Sequence, residues 1–349
     1  MLNCKTCTVT FHNVRNYGAY LQAYALQQFL GESNYILNLM TSLRSLVGAK
    51  WRQKLPVFWM LVALWRYYFK PYNLRKNFFN EINMLNLTDK YSSAKGIMKN
   101  LMPTNVYITG SDQVWNPRFI NEMENIYFLQ FISQSARRIS YAASLGMPKW
   151  PKEFEQKVLP WLKSFHAISV REESSVEYLR SLGLDSVCVC DPTVLHTADF
   201  YRNAFKLKNP DSENYIFTYK IRESIPILTI KKTITVNLHD KNLVSVRDWL
   251  SLIDNSDFIL TDSFHCVVFC VLFHKPFAVF QNNYKGKGMN ERFTTILGKI
   301  NLEYRLLQGT ETEEQILNIV KQPVSWDQVD SVLEEWRSYS KNWLMEAIK

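Results

Sequence analysis

The sequence predicts an α/β fold in two domains, each a parallel sheet with helices packed on it. Three observations predict it. Apolar runs of strand length alternate with helical patterns along the chain, beginning with residues 6–11 and 20–30. The stretch 257–280 (DFILTDSFHCVVFCVLFHKPFAVF) reads as strand, tight turn, short buried helix, strand. A polar segment, 196–212, breaks the pattern and divides the chain into domains over 1–200 and 201–349. The 349 residues suffice for two domains, and 47% hydrophobic with 14% aromatic residues excludes a disordered chain.

In the first domain, residues 6–11 alternate as a strand. The polar turn 12–19 (HNVRNYGA) leads into the helix 20–30 and starts a doubly wound domain. One glycine is not a dinucleotide fingerprint, yet the turn Asn16-Tyr17-Gly18 can present backbone N–H groups to a ligand. Residues 35–39 form a second strand. The helical window 44–87 is basic and aromatic: its 44–80 part holds eight Lys or Arg and no Asp or Glu. That mixture suits an anionic membrane surface, a core helix with a solvated basic face, or nucleic acid.

Residues 106–109 form a strand that ends in 110–116 (GSDQVWN). Asp112 and Asn116 are placed to bind sugar hydroxyls and Trp115 to stack on a sugar face; the alternative for Asp112 is a turn cap. Strands follow at 138–144 and 167–170, with a helix at 150–165 between them. Arg171 stands at a strand's carboxyl end. It either grips a carboxylate or phosphate with two bonds or pairs with Glu172, Glu173 or Asp191. A short strand, 187–189, ends in Asp191-Pro192-Thr193.

In the second domain, 215–221 and 233–238 are strands. Only 222–232 separates them, which is short for a helical crossover and predicts a hairpin or a minimal turn. Residues 246–254 form a helix. Within 257–280, Asp262 or Ser263 caps the helix and puts His265 in its first turn, where N–H groups favour an anion. There His265 holds a phosphate, moves a proton, or bonds to backbone. Residues 281–291 form a polar loop carrying Lys285, and Arg292 opens a helix. Helices at 313–321 and 326–348 complete the chain, the last packing back on the first domain.

The net charge is +9, much of it in 44–80. The N-terminus lacks a charged segment followed by a long apolar one, and no apolar run reaches membrane-spanning length, so a cytoplasmic location is expected. The six cysteines include one CxxC pair, Cys4 and Cys7; they are expected to be reduced and to bind no metal.

Six segments in order, 16–26 (NYGAYLQAYAL), 110–116 (GSDQVWN), 140–144 (SYAAS), 169–172 (SVRE), 191–193 (DPT) and 261–265 (TDSFH), resemble the polysaccharide pyruvyl transferase family. The resemblance implies two Rossmann-like domains facing a cleft, a GT-B-like arrangement. It implies transfer of pyruvate from phosphoenolpyruvate to two hydroxyls of one sugar of a cell-surface polysaccharide precursor, giving a cyclic ketal without a cofactor. His265 would be the acid that protonates the methylene carbon, and Arg171 would hold phosphate or carboxylate as charge shifts. Asp262, Ser263, Arg292 and Lys285 would complete the donor side. Asn16, Tyr17, Gly18, Ser111, Asp112, Trp115 and Asn116 would face the acceptor. A lipid-linked or oligosaccharide acceptor would give 44–80 a reason to touch the inner face of the cell membrane; no nucleic acid is expected. Many members carry an arginine at the position of Ser263, so that charge would here be either missing or supplied from elsewhere, by Lys231, Lys232 or Lys285. Two other readings fit the same residues: a GT-B-like glycosyltransferase using a nucleotide sugar, and a non-catalytic member that binds glycan.

Overall fold

The computed structural model describes residues 5–39, 84–91, 94–101, 104–120, 123–207, 214–222, 225–240, 243–281 and 290–349. The basic aromatic window lies almost wholly outside these residues, and so does Lys285.

Two parallel sheets carry the fold. The first runs in the order β3-β2-β1-β4-β5-β6-β7. Its strands are β1 (Thr6–Val9), β2 (Asn34–Leu39), β3 (Leu87–Tyr91), β4 (Val106–Gly110), β5 (Arg137–Ala143), β6 (Ala167–Val170) and β7 (Val187–Cys188). The second runs in the order β12-β11-β10-β8-β9. Its strands are β8 (Ile216–Lys220), β9 (Thr233–Asn237), β10 (Phe258–Thr261), β11 (Phe277–Phe280) and β12 (Leu306–Leu307). The central strands are buried along their whole length, which is why β10 reads FILT and β11 FAVF rather than alternating. Each sheet reverses its winding once, between β1 and β4 and between β8 and β10. A crevice opens outside the carboxyl ends of strands at such a reversal, because the flanking connections leave in opposite directions. Here the two reversals face one cleft.

The link between β8 and β9 corrects the hairpin expectation. The strands are parallel, in register from Ile216 with Thr233 to Lys220 with Asn237. The described residues of the link form no helix. Instead Ile225 and Leu228 drop onto the sheet and join a core with Phe258, Leu260 and Ile316. Two apolar side chains do there what a helix face does elsewhere.

The halves share one core. Tyr17, in the first turn of the helix Tyr17–Leu30, stacks on Trp249 at 4.7 Å and meets Tyr219 edge-on at 5.6 Å. Its hydroxyl donates to the Val244 carbonyl at 2.9 Å. The C-terminal helix, Trp326–Ile348, returns to the first domain as expected. Arg337 donates to the Val194 carbonyl (2.7 Å), Ser340 accepts from the Cys190 amide (3.0 Å), and the Ala347 carbonyl accepts from Arg137 (2.8 Å). No helix among the described residues is long and apolar enough to cross a membrane. Cys7, Cys188, Cys190, Cys266 and Cys270 are free thiols.

His196 links the 3₁₀ turn Pro192–Leu195 to the first helix. Its Nε2 bonds the Ala25 carbonyl at 2.9 Å and its ring stacks on Phe200 at 3.9 Å. Burial pushes its pKa down to about 4. The unfolded chain therefore binds a proton below the ordinary histidine value of 6.5 while the folded protein does not until about pH 4. Stability is expected to fall as pH drops across that window, by up to about 3 kcal/mol from this group. Urea unfolding at pH 7 and pH 5 checks it: His196→Gln should flatten the dependence relative to the parent.

Candidate functional site

Helix starts and strand ends place the site. Ser263 caps the helix Phe264–Leu272 by accepting from the Cys266 amide at 3.4 Å. That cap puts His265 in the first turn, 7% exposed. Asp262 is not the cap. Its carboxylate accepts from the amides of Ile221 (2.6 Å) and Arg222 (2.7 Å), tying the end of β8 to the end of β10. The helix Tyr17–Leu30 starts three residues before the apolar pattern suggested, because Asn16 caps it by accepting from the Gly18 and Ala19 amides (2.9 and 3.3 Å). The N–H groups expected to meet a ligand are thus taken by Asn16 itself.

A single carboxylate joins the two halves. Asp191 is 1% exposed. Its Oδ2 accepts from Arg171 Nη1 at 2.8 Å and from Ser111 Oγ at 3.0 Å, and lies 3.5 Å from His265 Nε2. Its Oδ1 accepts from the Thr193 amide (3.0 Å) and hydroxyl (2.7 Å). Burial alone would raise this carboxyl, but His265 and then Arg171 outweigh it and hold the group well below the usual carboxylate range. On its other edge the His265 ring abuts Gly18, where a Cβ would fall 1.9 Å from Nδ1. Only glycine lets the first helix approach that closely.

Around the ring lies a cavity of about 350 Å³. The second domain contributes Arg222, Ser263, His265 and Arg292; the first contributes His12, Asn16 and Asp112. Arg171 and Arg292 both reach the Phe264 ring, with guanidinium carbons 4.5 and 5.8 Å from its centroid. Burial and then repulsion from Arg171 bring Arg292 down to about 10, still protonated at neutral pH. Arg171 Nη2 and Arg292 Nε are buried without hydrogen-bond partners. Of the two, Arg292 lines the cavity, and a buried cation there favours a bound anion.

A family model for polysaccharide pyruvyl transferase matches residues 16–284, well over half of the chain. The chain belongs to the polysaccharide pyruvyl transferase family. Membership makes it a transferase. Among solved structures it is similar to a putative UDP-N-acetylglucosamine 2-epimerase from Listeria monocytogenes, at 11% identity and TM-score 0.53, over 99% of this chain and 96% of that one. It is similar to Arabidopsis thaliana UGT89C1 complexed with UDP-L-rhamnose, at 8% identity and TM-score 0.51, over all of both chains. At such identities the likeness shows the GT-B-like fold alone. No curated protein compared with the chain matches it.

The cavity brings together His265, Ser263, Arg292, Asn16 and Asp112. Other expectations are corrected. Trp115 is 0% exposed, stacked on Phe128 at 5.4 Å and donating to the Tyr127 carbonyl, so it is core and no sugar platform. Asn116 bonds Gln113 at 2.6 Å and shapes the loop. Ser111 is buried on Asp191, and Tyr17 and Gly18 hold the domain interface. Arg171 is off the cavity wall, bonded to Asp191 and Glu172. Lys231 pairs with Asp257 at the far end of β10, and Lys232 is exposed; Arg222 stands on the wall instead. Sequence reading missed His12 and Arg222. His12 stood in the quoted turn, and Arg222 directly follows a strand's end.

Asp191→Asn is expected to take from Arg171 its shortest carboxylate contact, leaving Glu172 at 3.5 Å, and to cost about 3–5 kcal/mol in urea unfolding. A loss below about 1 kcal/mol, the worth of a surface pair, would show that the bridge is not what joins the halves.

Proposed function

We propose that the protein moves pyruvate from phosphoenolpyruvate onto two hydroxyls of one sugar in a cell-surface polysaccharide precursor, forming a ketal. What carries this reading is the single cavity holding an imidazole and a half-buried guanidinium from one domain opposite a carboxylate and an amide from the other. The donor is a small trianion, and the cavity's cations match it. Arg292 binds its phosphate or carboxylate, and Arg222 closes the rim. His265 protonates the methylene carbon. Asp191 stands 3.5 Å from Nε2 and Gly18 packs against the Nδ1 edge, so the ring is held from both sides at the cavity. Charge then builds on the carbon bearing phosphate, where the acceptor oxygen attacks.

In this reading Arg171 is a positioning residue. It neutralises Asp191 and so fixes the ring rather than touching the substrate. Burial would lower its pKa, but Glu172, Asp191 and Asp112 outweigh that and keep it charged. Asp112 and Asn16 hold the sugar. The basic aromatic window 44–80 supports a lipid-linked acceptor, met at the inner face of the cell membrane. The reaction balances without a cofactor.

The test is acceptor-dependent phosphate release from phosphoenolpyruvate. His265→Ala is expected to reduce turnover by about 10²–10⁴-fold, the usual worth of a general acid. Arg292→Ala should chiefly raise KM for phosphoenolpyruvate. Consumption of a nucleotide sugar, with no phosphate released, would point to glycosyl transfer instead.

A further inference from the structure

His12 sits in the loop after β1, at the first sheet's winding reversal, on the cavity wall and 2% exposed. Its position is fixed from two sides. Nδ1 lies 3.2 Å from the Thr10 carbonyl. Gln22, itself fully buried, has its amide nitrogen within 2.9 Å of Thr10 Oγ1 and the Phe11 carbonyl and 2.8 Å from the Ala19 carbonyl. That one side chain ties the loop to the helix. Thr10 Oγ1 in turn donates to the Ser111 carbonyl at 3.1 Å.

A carbonyl has no proton to give, so the Thr10 bond requires the proton on Nδ1. Nε2 then carries the lone pair. That atom is buried and has no hydrogen-bond partner. Burial lowers the pKa of the ring, against weaker opposing effects of Thr10 and the nearby Asn38. A neutral imidazole with its basic nitrogen unspent thus shares a cavity with Asp112, Arg222, His239, His265 and Arg292. Asp112 is the competing base. Its carboxylate is already engaged, accepting from the Gln113 amide at 2.8 Å and lying 3.9 Å from Arg171 Nη2.

We propose that His12 Nε2 is the base that takes the proton from the first attacking hydroxyl of the acceptor. The inference rests on the pyruvyl-transfer reading above. His265 gives its proton to the methylene carbon, which becomes a methyl group. The acceptor oxygen forms a bond to the central carbon, and its proton passes to His12. The second hydroxyl then displaces phosphate from the same carbon, and its proton restores His265. The carbon–oxygen bond to phosphate breaks, phosphate keeps the electron pair, and it takes the proton from His12. Both histidines end as they began.

Two measurements test this. Two-bond ¹H–¹⁵N correlation on the wild-type protein should show His12 at pH 7 neutral, with Nδ1 protonated and Nε2 bare. The opposite tautomer, or a ring charged at pH 7, overturns the proposal whatever the acceptor. Phosphate release from phosphoenolpyruvate is then followed with p-nitrophenyl glycosides of galactose, glucose, mannose and N-acetylmannosamine. His12→Gln should lower kcat by about 10²–10⁴-fold, bind phosphoenolpyruvate as the parent does, and lose the acid limb of the kcat/KM profile. Imidazole added to His12→Ala should restore part of the rate. Unchanged turnover, or a loss matched by lost phosphoenolpyruvate binding with the acid limb intact, overturns the role of His12 while pyruvyl transfer stands. A wild-type protein inert with every glycoside removes the transfer reading for these acceptors, and the role of His12 with it.

Discussion

The buried carboxylate of Asp191 is the constraint on which the structure turns. A charge taken out of water in this way is tolerated only if every lone pair finds a donor. Arg171, Ser111 and Thr193 supply donors from the first domain, and His265 Nε2 stands 3.5 Å away in the second, an ion-pair contact longer than a hydrogen bond. The two halves therefore cannot separate without exposing or orphaning that charge. The same pairing fixes the imidazole ring at the cavity, so the contact that closes the molecule also sets its chemistry.

Two further features follow from holding the ring there. The first helix must come within contact distance, which only Gly18 permits. The cations around Phe264 must share a confined space, which depresses Arg292 and leaves guanidinium nitrogens unpaired. Such an arrangement is costly without a ligand and relieved by an anion. Stability is given up at the place where binding is to occur.

The strand and helix pattern was legible because parallel strands in these sheets are buried on both faces and read as plain apolar runs. The C-terminal helix, the cap at Ser263 and the placement of His265 were legible for the same local reasons. What local pattern could not give was depth. Trp115 follows a strand's end, as a sugar platform would, but its ring turns inward and enters the Phe128 and Trp150 cluster. Arg171 stands at a strand's end too, yet the partner that claims it lies twenty residues on, across β7. The parallel β8–β9 pairing was hidden because two apolar side chains, Ile225 and Leu228, replace the expected helix. His12 could be found only once the backbone carbonyl that sets its tautomer was placed.

The central claim is that an imidazole held by Asp191 stands ready beside a small bound acid. A crystal structure with phosphoenolpyruvate soaked into the protein tests it most directly. The expected result is the acid seated against Arg292, its methylene carbon facing the His265 ring, with the His265–Asp191 contact intact. Phosphoenolpyruvate bound away from that ring, or a ring turned off Asp191 to meet it, would contradict the account.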